Sequence, residues 1–104
     1  MTLPVDDGLI AVVKRECPTC ALVAPVLARL GAAVTVYSQD DPAFPEGCAV
    51  RDDRALDVSF ALDIATVPTL LVVRDGRIIE RCEGWDRSHW AAARGHLRAL
   101  QQPG

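Results

Sequence analysis

The sequence predicts an α/β domain with its elements in the order β-α-β-α-β-β-α. Two short apolar, β-branched runs, Leu9–Val13 and Val34–Tyr37, flank a stretch of helical periodicity, which makes a βαβ unit with parallel strands. Two further strand-like runs meet at Asp75-Gly76, a tight-turn dipeptide. Half of the 104 residues are hydrophobic, enough for one packed core, so residues 1–104 read as a single domain rather than a disordered chain.

Leu9-Ile10-Ala11-Val12-Val13 has no polar alternation and follows turn residues, the pattern of a strand buried on both faces. From Thr19 to Gly31 the period becomes helical. Leu22, Val23, Val26, Leu27 and Leu30 recur at that spacing, and Gly31 supplies the stop. Pro25 lies inside this helix and should kink it, because it lacks an N–H and crowds the preceding turn. Val34–Tyr37 is the second strand. Gln39–Gly47, with Asp40, Asp41, Pro42 and Pro45, is loop chemistry. Asp53 is placed to cap a short helix through Leu56, Phe60 and Leu62. Thr69–Val73 and Arg77–Glu83 are the arms of the hairpin. Asp86 or Ser88 then opens a last helix with Trp90, Ala93, Leu97 and Leu100 on one face. The polar tail Gln101–Gly104 ends it and is compatible with a linker, so the chain also reads as one module of a longer protein.

Eleven basic residues against fourteen acidic ones leave a net charge of -3, which offers no basic face to nucleic acid. Met1–Gly8 has neither a basic region nor a long apolar one, unlike a secretory signal, and Leu9–Val13 is too short to span a bilayer. The expectation is a cytoplasmic protein with no membrane partner.

Four cysteines remain to be explained. Cys17 and Cys20 form a Cys-Pro-Thr-Cys motif where a strand ends and a helix begins; Cys48 and Cys82 stand alone. Two intervening residues on a first helical turn bring the sulfurs within disulfide reach. The free N–H groups and macrodipole at a helix N-terminus favour a thiolate on the first cysteine. Such a thiolate attacks a partner disulfide and the second cysteine resolves the mixed disulfide, so Cys17 is the candidate nucleophile and Cys20 the resolving thiol. Pro18, at the first helical position, is pre-organised for the turn. Half of a zinc site has the same spacing, but a site from Cys17, Cys20, Cys48 and Cys82 needs distant segments to converge. A second motif, Thr66-Val67-Pro68-Thr69, precedes a strand. Its proline either simply starts the strand or adopts a cis peptide that exposes the preceding backbone as an edge.

Together these motifs resemble the thioredoxin superfamily from Leu9 to Leu100. The likeness rests on Cys17-Pro18-Thr19-Cys20, Pro25 five residues on, Val67-Pro68-Thr69-Leu70, and Gly76 and Gly84 at the family's offsets. The resemblance implies a four-stranded mixed sheet in the order 2-1-3-4, flanked by helices. It implies a cis Pro68 facing the cysteines, with Val67, Pro68 and Gly84 binding substrate. The chain departs from the family in several places. Glu16 stands where thioredoxins have tryptophan, Pro-Thr replaces Gly-Pro, and Ala11 takes the place of their buried acid. The glutathione-binding Gly-Gly-x-Asp segment of glutaredoxins is replaced by Arg81-Cys82-Glu83-Gly84, and the first strand and helix of full-length thioredoxins have no counterpart.

The expected activity is thiol–disulfide exchange with a disulfide-containing protein substrate and a thiol reductant or reductase, without a cofactor or metal. The alternatives are a docking or electron-delivery module of a larger protein and, behind it, a cysteine metal-binding domain. Trp85 either replaces the missing aromatic beside the cysteines, as part of the substrate surface, or packs on the sheet end. Cys82 reads as a small apolar residue and Cys48 as a loop cysteine or an auxiliary thiol. His89 and His96, seven apart, share a solvated face of the last helix. Lys14 and Arg15 favour a thiolate at Cys17 and Glu16 opposes it.

Overall fold

A computed structural model describes residues 3–88 and 90. Its elements are β1 (Gly8–Val13), α1 (Pro18–Leu30), a 3-10 turn (Gly31–Ala33), β2 (Val34–Ser38), β3 (Val50–Asp52), α2 (Asp57–Ala61), β4 (Thr69–Arg74) and β5 (Arg77–Glu83). They build one sheet in the order β3-β2-β1-β4-β5. The expected order of four strands is present as β2-β1-β4-β5, but the sheet has five strands, not four. The added edge strand, β3, runs parallel to β2 with Val36 opposite Val50 and Ser38 opposite Asp52. It lies in a stretch where the sequence predicts no strand. With three residues, two of them exposed charges, β3 shows no apolar alternation and depends on its neighbour for definition.

The central strand explains the layering. β1 pairs in parallel with β2, from Leu9 opposite Val34 to Val13 opposite Ser38, and antiparallel with β4, from Gly8 opposite Val73 to Val12 opposite Thr69. Side chains alternate across a strand. Leu9, Ala11 and Val13 therefore pack under α1 with Val23, Leu27, Val36, Leu70 and Val72. Ile10 and Val12 face the opposite layer with Tyr37, Leu62, Leu71 and Val73, where Leu3, Val5, Val58 and Ile64 complete the cover. A strand buried on both faces needs an unbroken apolar sequence, and β1 has one.

In α1 the buried stripe is Cys20, Val23 and Leu27. Leu22, expected on the apolar face, is 63% exposed. It precedes Val23 by about 100° of helix and so points away from the sheet. The helix continues through Pro25, whose missing N–H withdraws one bond from the carbonyl of Ala21. Gly31 ends it at φ 54, ψ -128, and its N–H caps the Leu27 carbonyl.

Asp53 caps α2, though from further back than its sequence position suggests. The buried carboxylate accepts the N–H groups of Val58 and Ser59, both at 2.9 Å, and the Ser59 hydroxyl at 2.6 Å. Leu56 intervenes in the left-handed region at φ 65, which delays the helix to Asp57 and leaves Phe60 90% exposed. At the hairpin, Asp75 and Gly76 both have positive φ, and the Asp7 carboxylate accepts their N–H groups at 2.7 and 3.1 Å. A bulge between Val72 and Val73 breaks the register with β5. The last expected helix, with Ala93, Leu97 and Leu100, lies outside the described residues beyond its opening bond, from Trp90 N–H to the Asp86 carbonyl at 3.0 Å.

Candidate functional site

The site forms where β1 hands the chain to α1. Cys17 is the N-cap of that helix, with an extended backbone (φ -146, ψ 110), and its Sγ accepts the Cys20 N–H at 3.2 Å. A sulfur thus takes a capping place usually held by a serine or aspartate oxygen. Pro18 follows in the first turn, where its missing N–H costs no helical bond. Both cysteines are free thiols, yet their surroundings differ. Cys17 is half-buried, whereas Cys20 is fully enclosed. Burial pushes the Cys20 thiol up to about 12, helped by its hydrogen bond and charge interaction with Cys17 and by the charge of Asp40. One sulfur is reachable; the other is held neutral behind it.

A second chain segment closes on the first. The Val67–Pro68 peptide is cis, and the Val67 carbonyl accepts the Cys17 Sγ–H at 3.6 Å. The Thr69 hydroxyl donates to the Thr66 carbonyl at 2.7 Å, which pins the bend just ahead of β4. The Pro68 carbonyl accepts the Gly84 N–H at 2.7 Å, and the Gly84 carbonyl accepts the Trp90 indole N–H at 3.2 Å. Gly84 has φ 76, in the left-handed region that favours glycine. Trp85 meets Trp90 edge to face at 5.5 Å between ring centroids, and both belong to the core layer that also holds Cys17 and Cys20. Cys17, Val67, Pro68 and Gly84 therefore form one continuous run of contacts, with Trp85 at its far end.

The remaining cysteines are placed differently. Cys82 is buried in β5 opposite Leu70; burial raises its thiol, with the charges of Glu80 and Asp86 adding to the effect. Cys48 is half-buried against the α1 layer, and burial raises its thiol as well. Among the described residues, no three His, Cys, Asp or Glu side chains cluster as metal ligands would. His89 and His96 lie outside the described residues.

The segment after β2, loop by its sequence, contributes residues to the site. Asp40 accepts the backbone N–H groups of Arg15 at 2.8 Å and Glu16 at 3.0 Å. Burial opposes its charged form, but those bonds, the Asp41 N–H and the Ser38 hydroxyl outweigh it and hold the carboxyl below its ordinary range. The Arg15 guanidinium pairs with Asp41 and lies 5.3 Å over the Phe44 ring. Arg15, Phe44, Glu46, Ala21, Ala24, Pro25 and Ala28 line an open groove of about 370 Å³ beside α1. Parallel pairing of the first two strands is the signal that could have brought Asp40 to Cys17, since it puts both strand exits at one edge.

No family model matches the chain, and no curated protein matches its sequence. Solved structures do. A protein of Chlorobium tepidum, provisionally named as the thiol:disulfide interchange protein DsbE, superposes with a TM-score of 0.67 at 16% identity, covering 89% of this chain and 79% of that one. A secreted disulfide oxidoreductase of Mycobacterium tuberculosis, described as homologous to E. coli DsbE, gives 0.65 at 18% identity over 89% and 81%. Thioredoxin O1 of Arabidopsis thaliana, in its oxidized state, gives 0.57 at 22% identity over 86% and 76%. The architecture described above is the thioredoxin fold.

Proposed function

We propose that this protein is a thiol–disulfide oxidoreductase acting on protein disulfides, with Cys17 as nucleophile and Cys20 as resolving cysteine. The observation that carries the reading is the asymmetry of the pair: a half-buried Cys17 at a helix start, directly ahead of an enclosed Cys20. The thioredoxin fold and the names of its structural neighbours agree with it.

In the proposed exchange, the Cys17 thiolate attacks one sulfur of a substrate disulfide. A mixed disulfide forms and the other substrate sulfur leaves as a thiolate, which takes up a proton. Cys20 gives up its proton and attacks the Cys17 sulfur, closing the Cys17–Cys20 disulfide and releasing the second substrate thiol. Two electrons pass from the pair to the substrate, and a thiol reductant or reductase returns them. Val67, Pro68, Gly84 and Trp85 form the substrate surface, the Val67 backbone pairing with an extended segment next to the sulfurs as its carbonyl releases the Cys17 thiol. We place this activity in the cytoplasm, with residues 1–104 acting as one domain, and assign the pair a reducing role.

The reduction potential of the Cys17–Cys20 couple tests both the activity and its direction. The proposal expects a reversible two-electron couple near the thioredoxin value of about -270 mV; a value near about -120 mV makes the protein an oxidant, and no reversible couple overturns the reading. Metal analysis of the purified protein and turnover of insulin in dithiothreitol separate it from the metal-binding and docking alternatives.

A further inference from the structure

The backbone that enters the thiol pair is held by a side chain outside it. β1 and β2 are parallel neighbours, so their C-terminal ends leave the sheet together, and a bond from Gln39 N–H to the Val13 carbonyl at 3.0 Å extends their ladder. Asp40 then turns back over the first chain. Its Oδ1 accepts Arg15 N–H at 2.8 Å and its Oδ2 accepts Glu16 N–H at 3.0 Å, while the Ser38 hydroxyl donates to Oδ1 at 3.3 Å. These are the last two backbone donors before Cys17. Bonds to an ionised acceptor are about twice as strong as neutral ones, so the two-point grip fixes a segment that would otherwise rotate freely. The nearby charges are arranged around it: Arg15 turns its guanidinium to Asp41 and Phe44, and Glu16 is exposed.

We propose that Asp40 is a positioning residue for the thiol pair: it fixes the backbone that presents Cys17 to Cys20 and to Val67, and so favours closure of the disulfide. The inference rests on the exchange chemistry proposed above. Against glutathione, the dithiol and one oxidised glutathione give the Cys17–Cys20 disulfide and two reduced glutathiones; two electrons and two protons pass from the pair to glutathione. A backbone held in place keeps the two sulfurs at closing distance, which raises their effective concentration and favours this direction.

The test is the glutathione equilibrium of the parent, Asp40→Asn and Asp41→Asn, with folding of each checked by circular dichroism. In Asp40→Asn the amide oxygen can take one N–H while its NH₂ group, a donor, faces the other. Asp41 does not hold the backbone that enters Cys17, so the expected result is a shift of about fivefold toward the dithiol in Asp40→Asn and less than about twofold in Asp41→Asn. An Asp40→Asn constant within twofold of a parent that cycles normally overturns this inference and leaves the proposed function standing. A parent that forms no disulfide overturns both. Amide exchange of the parent gives a second readout that does not need the variant to fold. Arg15 and Glu16 N–H groups protected in both redox states support the grip, and exchange at the rate of free loop amides overturns it.

Discussion

The sulfur of Cys17 and the carbonyl oxygen of Val67 stand 3.6 Å apart although fifty residues separate them in the chain. The contact joins the two segments that carry the proposed chemistry, the turn into α1 and the bend ahead of β4. It is held from below by the pairing of β1 with β4, which places Val12 opposite Thr69. The position of Cys17 relative to the bend is therefore a property of the sheet, not of either loop alone.

Alkylation should distinguish the two thiols. Cys20 is enclosed, and burial with its Cys17 partner pushes its thiol up to about 12, so at neutral pH it is both hidden and protonated. Iodoacetamide followed by peptide mass mapping is expected to label Cys17 first in the folded protein. Labelling of Cys20 ahead of Cys17 contradicts the assignment of nucleophile.

Substitution should separate attack from resolution. Cys17→Ser is expected to abolish insulin reduction, whereas Cys20→Ser should accumulate a mixed disulfide that dithiothreitol releases. Cys48→Ser and Cys82→Ser should retain turnover, because both lie outside the Cys17-Pro18-Thr19-Cys20 motif and burial pushes both thiols up, away from the reactive thiolate form. Loss of turnover in either, with the fold intact, would show that a two-cysteine mechanism is incomplete.

Stability should fall at both ends of the pH scale. Asp40, Asp41 and Asp52 have carboxyls held below their ordinary 3.8: net hydrogen bonding overcomes burial at Asp40, the Ala43 N–H leads at Asp41, and Arg54 holds Asp52. Their folded pKa values are depressed, so their stabilisation is present above the unfolded value and is lost as pH falls through the folded values, below about pH 4. Cys20, Cys48 and Cys82 are raised above the ordinary thiol value of 9.0, chiefly by burial. Their neutral forms fit the fold, so that contribution is complete below pH 9.0 and declines as pH rises toward their folded values. Urea denaturation across pH under reducing conditions should therefore give a plateau with an acid and an alkaline shoulder, and the alkaline one should shrink in Cys82→Ala relative to its own plateau.

Two leucines of α1 provide a packing test. Leu27 is fully buried and Leu22 is 63% exposed. Leu27→Ala is expected to cost about 2–5 kcal/mol by chemical denaturation, through lost burial and a residual cavity. Leu22→Ala should stay within about 0.5 kcal/mol, as surface changes do. Equal costs would mean that α1 is rotated on the sheet.

The strands that could be read from residues alone are those whose own side chains carry the burial. Leu9–Val13 and Leu70–Val73 are apolar throughout, and Asp75-Gly76 marks the hairpin by its chemistry. β3 could not be read, because Arg51 and Asp52 are exposed charges and only pairing with β2 makes them a strand. Leu22 misled because it recurs at helical spacing on the wrong side of the stripe. At the site, Cys17, Cys20, Val67, Pro68, Gly84 and Trp85 could be nominated from motifs. Asp40 and Phe44 could not, since what defines them is the approach of the second strand's exit to the first's, a relationship no local pattern contains.

The bond from Trp90 to the Gly84 carbonyl, and the edge-to-face meeting of Trp90 with Trp85, have an optical consequence. The chain contains only these two tryptophans, so its indole fluorescence arises wholly from one corner of the molecule. That corner is bonded through Gly84 to Pro68 and shares a core layer with Cys17 and Cys20. A change of sulfur oxidation state or an occupied Val67 edge should therefore alter emission intensity without any attached dye. Stopped-flow recording at indole wavelengths can follow each half of the exchange in the unlabelled protein.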